Sequence, residues 1–199
     1  MLSIASAPET DMVAREKELT AYLASRPIDV LLDLVDHDLL TADLARQLDR
    51  PKLTALLERR ASCQGEDTDL FYAGDGESHF DGELRRQHVI YTWCTGCPVA
   101  TACLERALRD KDSGGIHGGL TEQEQRDEAR AHAQRLAQAR TNDARIAAEE
   151  SAYLRAARRA ARTGAFTKAT PLSIERARTA VAELSELRAA RRARTGWTA

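Results

Sequence analysis

Cys94-Thr-Gly-Cys97-Pro98-Val99-Ala-Thr-Ala-Cys103 places three of the four cysteines within ten residues, and Cys63 stands upstream as the fourth. A CxxC pair, a third thiol at a helix start and a distant fourth can close one four-sulfur cage around a single centre. Pro98 fixes φ just after Cys97, so the turn holds two thiols toward one point. Helix over 83–93 is expected to deliver Cys94. Cys103 is expected to open a helix over 104–110, whose N-terminal amides would favour its thiolate form. The fold class that follows is all-α: a small helical domain organised around the cysteine site, with helical N- and C-terminal extensions.

Moving downstream, Ser113-Gly-Gly-Ile-His-Gly-Gly-Leu120 has four glycines in six residues and reads as a tight turn with positive φ or close backbone approach. Thr121-Glu-Gln-Glu124 is a capping box that starts a helix running past Arg140. Upstream, Gly65, Gly74, Gly76 and Gly82 mark a loop-rich stretch anchored by Leu70, Phe71 and Tyr72. Residues 10–60 read as three or four short helices, with apolar positions at Leu19, Tyr22 and Leu23, in 28–34, in 39–48, and at Leu53, Leu56 and Leu57. Thr41 to Leu48 followed by Arg50-Pro51-Lys52-Leu53 faintly resembles a helix-turn-helix without a diagnostic glycine, and a packed helical extension is the plainer reading. Three regions result: 1–60 as a helical extension, 61–140 as the cysteine domain, and 141–199 as a basic Ala/Arg-rich tail.

The tail carries its own pattern. Residues 151–199 hold eleven Lys and Arg against three Glu, a net +8, so the net charge of −2 leaves −10 on residues 1–150. Arg155, Arg158, Arg159 and Arg162 share one helical face, and Arg188, Arg191 and Arg192 repeat the stripe. Gly164 ends the first helix and Thr170-Pro171 begins the second. Such stripes match phosphate spacing and name DNA as a partner without specifying bases.

Composition narrows the class. Among 199 residues only 5% are aromatic and 30% are charged, so a metal centre would supply folding free energy that a thin core does not. The stretch from Met1 to Asp11 lacks a cationic region followed by a signal-length apolar run, and nothing approaches a membrane span. The expectation is a cytoplasmic protein, where four cysteines serve as ligands or redox groups more readily than as two disulfide bonds. His37, His79, His88, His117 and His132 are scattered, so no hydrolytic constellation is visible and the protein reads as a non-enzyme. Cys94 and Cys97 lack the βαβ surroundings of a thioredoxin-like site. Thiol-disulfide reductase activity of the apo form is the alternative of a different class. Zinc is the alternative cofactor on spacing alone.

Residues 62–130 resemble the WhiB-like iron-sulfur transcription factors of actinobacteria. The resemblance rests on Ser62-Cys63 with Asp69-Leu70-Phe71, Cys94-x-x-Cys97-Pro98-Val99-x-x-x-Cys103-Leu104, Ala107-Leu108, and the glycine turn followed by Thr121-Glu. It implies a [4Fe-4S] cluster held by Cys63, Cys94, Cys97 and Cys103, reaction with oxygen and nitric oxide, and transcriptional regulation. It also implies contact with the C-terminal domain of a primary sigma factor, with Ile116, His117 and Leu120 as the candidate surface. His117 stands where the family has Trp, and the thirty residues between Cys63 and Cys94 form a long spacer.

Overall fold

A computed structural model describes residues 9–111, 114–164 and 170–195. Residues 1–8 of the stretch read for a leader and Ser113 of the glycine turn lie outside them. Among the described residues there are nine α-helices and no strand, which is the all-α architecture expected. Two units form, residues 1–138 and 139–199.

In the first unit α1 (Glu9–Ala24) precedes α2 (Ile28–Asp36), α3 (Ala42–Gln47) and α4 (Arg50–Arg60). The starts follow from the sequence: Thr41 Oγ1 accepts from Leu44 N–H at 3.2 Å, and Asp49 Oδ1 accepts from Lys52 N–H at 3.0 Å. Leu31, Leu32, Val35, Leu40, Leu44, Leu48, Leu53 and Leu56 are buried in one core with Val99 and Ala102 of the cysteine segment, and Cys97 packs against it. Each such Leu contributes about 1.5–3 kcal/mol by leaving water. The extension is thus part of the wall behind the cysteines.

Packing also decides the helix-turn-helix question. α4 lies against α2 and α6 (Ala100–Asp110), and its basic residues are engaged within the protein. Arg50 meets Asp110 at 2.9 Å, Lys52 Nζ donates to Ala24 O at 2.7 Å, and Arg60 pairs with Asp36 at 2.6 Å. A recognition helix needs those side chains turned outward, so this pair of helices is structural.

Residues 62–78 form a loop with a 3-10 turn over Thr68–Phe71. Arg85 pins it, meeting Glu77 at 2.7 Å and donating to Leu70 O at 3.1 Å. α5 spans His79–Val89 and starts four residues before the residue 83 expected, because Ser78 accepts from Asp81 N–H at 3.1 Å as N-cap. The helix does not simply run on to Cys94. Residues Ile90–Cys94 widen into a π-helical turn, with Thr95 N–H donating to Ile90 O at 2.8 Å.

α6 begins at Ala100, so Cys103 lies in its second turn and its N–H already bonds Val99 O at 2.9 Å. The Cys103 N–H is therefore used within the helix, and the helix start lies three residues before the Cys103 expected. α7 (Glu122–Ala131) starts on the capping box read from sequence. It breaks at His132, where the backbone turns to φ −113°, ψ 23°, instead of running past Arg140. Helix resumes as α8 (Ala133–Gly164), and α9 spans Pro171–Thr195, so both tail helices stop and start where Gly164 and Thr170-Pro171 placed them.

The second unit is a helical hairpin of residues 139–164 and α9. Ile146, Ala156, Ala180 and Leu184 are its buried apolar residues. Arg159 pairs with Glu183 at 2.6 Å, Arg191 with Glu150 at 2.9 Å, and Arg194 with Glu149 at 3.5 Å. The Arg191 guanidinium also lies 5.3 Å from the Tyr153 ring centroid. No described helix is long and apolar enough to cross a membrane.

Candidate cysteine centre

Cys63, Cys94, Cys97 and Cys103 form no disulfide with one another, are partly buried, and all line one cavity of about 380 Å³. Cys63 arrives on the loop after α4, Cys94 at the end of the π-helical turn, Cys97 on the following turn, and Cys103 on α6. Among the described residues no three His, Cys, Asp or Glu side chains converge as the ligands of one ion would. The thiols ring a space. Phe71, Tyr72 and Trp93 supply aromatic wall, with Leu57, Val99 and Ala107.

α6 has two working faces. Cys103, Arg106, Ala107 and Asp110, at i, i+3, i+4 and i+7, line the cavity. Behind them Ala102, Glu105 and Arg109 are buried. Arg109 Nε donates to Glu105 at 2.7 Å, and its two terminal nitrogens donate to Leu48 O and Arg46 O, each at 2.8 Å. Arg109 thereby closes the open carbonyl end of α3. Arg135 reaches the same Glu105 oxygen at 2.7 Å. The ion group fastens the cysteine-bearing helix to the N-terminal helices and to the start of α8.

The glycine turn forms the opposite wall. His117 and Leu120 exchange backbone hydrogen bonds of 3.2 and 3.1 Å, and Ile116 N–H donates to Phe71 O at 3.0 Å. Gln125, fully buried on α7, donates to Gly115 O at 2.8 Å and Leu120 O at 2.9 Å. At Gly118, φ is +58° and an added Cβ would lie 2.5 Å from Ala100 O and 2.8 Å from Leu104 Cβ, so only glycine fits against α6. That approach aims the Gly118 N–H at the Cys103 thiol, and the Gly119 N–H bonds the Cys94 thiol.

Burial dominates the thiol chemistry. It pushes Cys103 up to about 11 despite the Gly118 hydrogen bond, the other three thiols adding to the rise. Burial thus outweighs the helix-start stabilisation expected at Cys103. Burial also raises Cys63 and Cys94. Three raised thiols sharing one cavity with Cys97 are poor free nucleophiles and, with it, a natural set for a positive centre.

Of the turn residues named as a partner surface, Ile116 is only 5% exposed and lines the cavity. Its backbone bond to Phe71 turns the side chain inward, so it supports the turn from within. His117 is half-buried and also lines the cavity, where burial lowers its affinity for a proton while the Gln125 amide pulls the other way. Leu120 is half-buried. Of the seven arginines, Arg159 and Arg191 hold the hairpin, and Arg155, Arg158, Arg162, Arg188 and Arg192 are exposed. Arg106, Arg109 and Gln125 were not singled out from sequence. Arg106 was findable as the i+3 neighbour of Cys103, but Gln125 carried no local signal.

Comparison with known proteins bears on the same segment. The family described as transcription factor WhiB matches residues 58–128. Transcriptional regulator WhiD of Streptomyces coelicolor is 38% identical over 66 residues, 32% of this chain and 56% of that protein. Redox-responsive transcriptional regulator WhiB3 of Mycolicibacterium smegmatis is 36% identical over 69 residues, 34% of this chain and 69% of that protein. Transcriptional regulator WhiB1 of Mycobacterium tuberculosis is 31% identical over 67 residues, 34% of this chain and 76% of that protein. The matched segment thus spans little more than half of WhiD. No solved structure matches.

Proposed function

The chain belongs to the WhiB family of transcription factors, and on that premise we propose that it is a redox- and nitric-oxide-responsive transcriptional regulator of the cytoplasm. Cys63, Cys94, Cys97 and Cys103 would hold a [4Fe-4S] cluster. The observation that carries this reading is that every cysteine of the chain lines one cavity. The donor set is all sulfur, the space suits a multi-atom centre, and two glycine N–H groups bond ligand sulfurs from one side. When bound, the cluster supplies the group that oxidants and nitric oxide attack.

The chain's own residues supply the rest. The turn of residues 114–120 covers the cavity and offers Leu120 and the edge of His117 to the C-terminal domain of a primary sigma factor, with Ile116 behind them. Arg155, Arg158, Arg162, Arg188 and Arg192 offer DNA a set of exposed cations that tracks phosphates and reads no bases. Anaerobic purification with iron and sulfide analysis tests the centre. A brown protein with about four of each per chain is expected. A colourless zinc protein overturns the cluster, and turnover of a disulfide substrate by apo-protein, abolished in Cys97→Ser, would establish the reductase instead.

A further inference from the structure

Two nitrogen atoms on side chains lining the thiol cavity are buried without a hydrogen bond: Arg106 Nε and His117 Nδ1. Buried polar groups are rarely left so: Arg106 Nε asks for a partner the protein itself does not provide, and the His117 ring, which the Gln125 amide approaches, keeps its Nδ1 outside hydrogen-bond geometry. Arg106 sits one turn along α6 from Cys103 on the cavity face. The carboxylate beside it, Asp110, is 3.7 Å from Nε, beyond hydrogen-bond reach, and is met at 2.9 Å by Arg50. The His117 ring approaches from the glycine turn and feels the Arg106 charge. A guanidinium and an imidazole thus share a wall with four thiols.

The occupant expected there is anionic and rich in acceptors, since four thiolates and the inorganic sulfides outweigh the iron charge. We propose that Arg106 and His117 form a donor wall that hydrogen-bonds the sulfur atoms of the iron-sulfur centre and raises its reduction potential. The inference rests on the cluster reading above. Its physical basis is that the reduced centre carries one more negative charge, so nearby donors and a fixed cation stabilise it more than the oxidised centre. The same bonds hold the centre against loss.

The test compares reconstituted wild type with Arg106→Met and His117→Phe, which remove the donors, and with Arg106→Lys and His117→Asn, which keep one. Far-ultraviolet circular dichroism of each apo-protein reports the fold. Iron and sulfide content, the midpoint potential from anaerobic titration, and the rate of cluster loss to a chelator report the wall. Arg106→Met and His117→Phe should each lower the potential by about 60 mV, a tenfold change at about 59 mV per decade for one electron. They should also release the cluster about tenfold faster. Lys and Asn should restore most of both.

Fully loaded variants with wild-type potentials would overturn the wall. So would Lys and Asn variants that fall as far as Met and Phe, because loss of packing would then explain the effect. Wild type that takes up no cluster would overturn the cluster reading and this inference together, an outcome distinct from a loaded wild type whose variants are silent. If one Met or Phe variant does not fold, the other residue's pair decides on the same readouts.

Discussion

The cysteine unit and the C-terminal hairpin are both all-helical, but they place their charges in opposite ways. In the first, Arg109 and Glu105 are 5% and 4% exposed and tie α6 to α3, while the more exposed Arg50 and Arg60 pair with Asp110 of α6 and Asp36 of α2. In the second, Arg159 and Arg191 join the two helices from the surface, and Arg155, Arg158, Arg162, Arg188 and Arg192 are among the arginines that face solvent. An arginine count therefore says little about nucleic-acid contact until each guanidinium is placed. The buried set fixes the geometry of a cavity. The exposed set is free to meet phosphate.

The sharpest break in this comparison comes from the cavity side. Cys63→Ser, Cys94→Ser, Cys97→Ser and Cys103→Ser should each abolish the cluster and lower the melting temperature of the first unit, since loss of the centre removes its folding free energy. The hairpin helices should keep their circular dichroism. Iron and sulfide at wild-type stoichiometry in Cys63→Ser would remove that distant residue from the ligand set.

Next in size is the buried ion group. Arg109→Met removes the guanidinium bonds to Arg46 O and Leu48 O and one bond to Glu105, and should destabilise the first unit by about 3–5 kcal/mol in urea unfolding. Arg159→Met, which removes an exposed pair, should cost below about 1 kcal/mol. Equal costs would show that the inward and outward arginines are energetically alike. Gly118→Ala should fall between these, at about 1–3 kcal/mol, because the new methyl meets Ala100 O and Leu104 at a backbone the turn cannot move.

These effects also mark how far the sequence was legible. The cysteine spacing, the Thr121 capping box and the Pro171 start were readable because each is a local rule. The π-helical turn at Ile90–Cys94 was not, since α and π turns share the same apolar pattern. Ile116 looked like surface because a glycine turn seemed to face outward, and only the distant Phe71 carbonyl turns it in. Cys103 was placed at a helix start because Ala100-Thr-Ala carries no cap signal. Arg109, Gln125 and the pairing of Arg159 and Arg191 depend on residues 24 to 63 positions away or on a turn's backbone, beyond any periodicity.

The smallest effect on stability is the one that sorts the arginines by function. Arg155, Arg158 and Arg162 are exposed on one face of α8, while Arg159 meets Glu183. If the face lies on phosphates, Arg155→Gln, Arg158→Gln and Arg162→Gln together should flatten the salt dependence of DNA binding by about 0.9 per lost contact, equally for all sequences. Their melting temperature should stay at the wild-type value. Arg159→Gln should change the slope little and instead loosen the hairpin slightly. A triple variant that keeps both affinity and slope would make this face a solvated helix surface and leave Arg188 and Arg192 as the place to look, because they are exposed members of the second stripe, whose third member, Arg191, is engaged by Glu150.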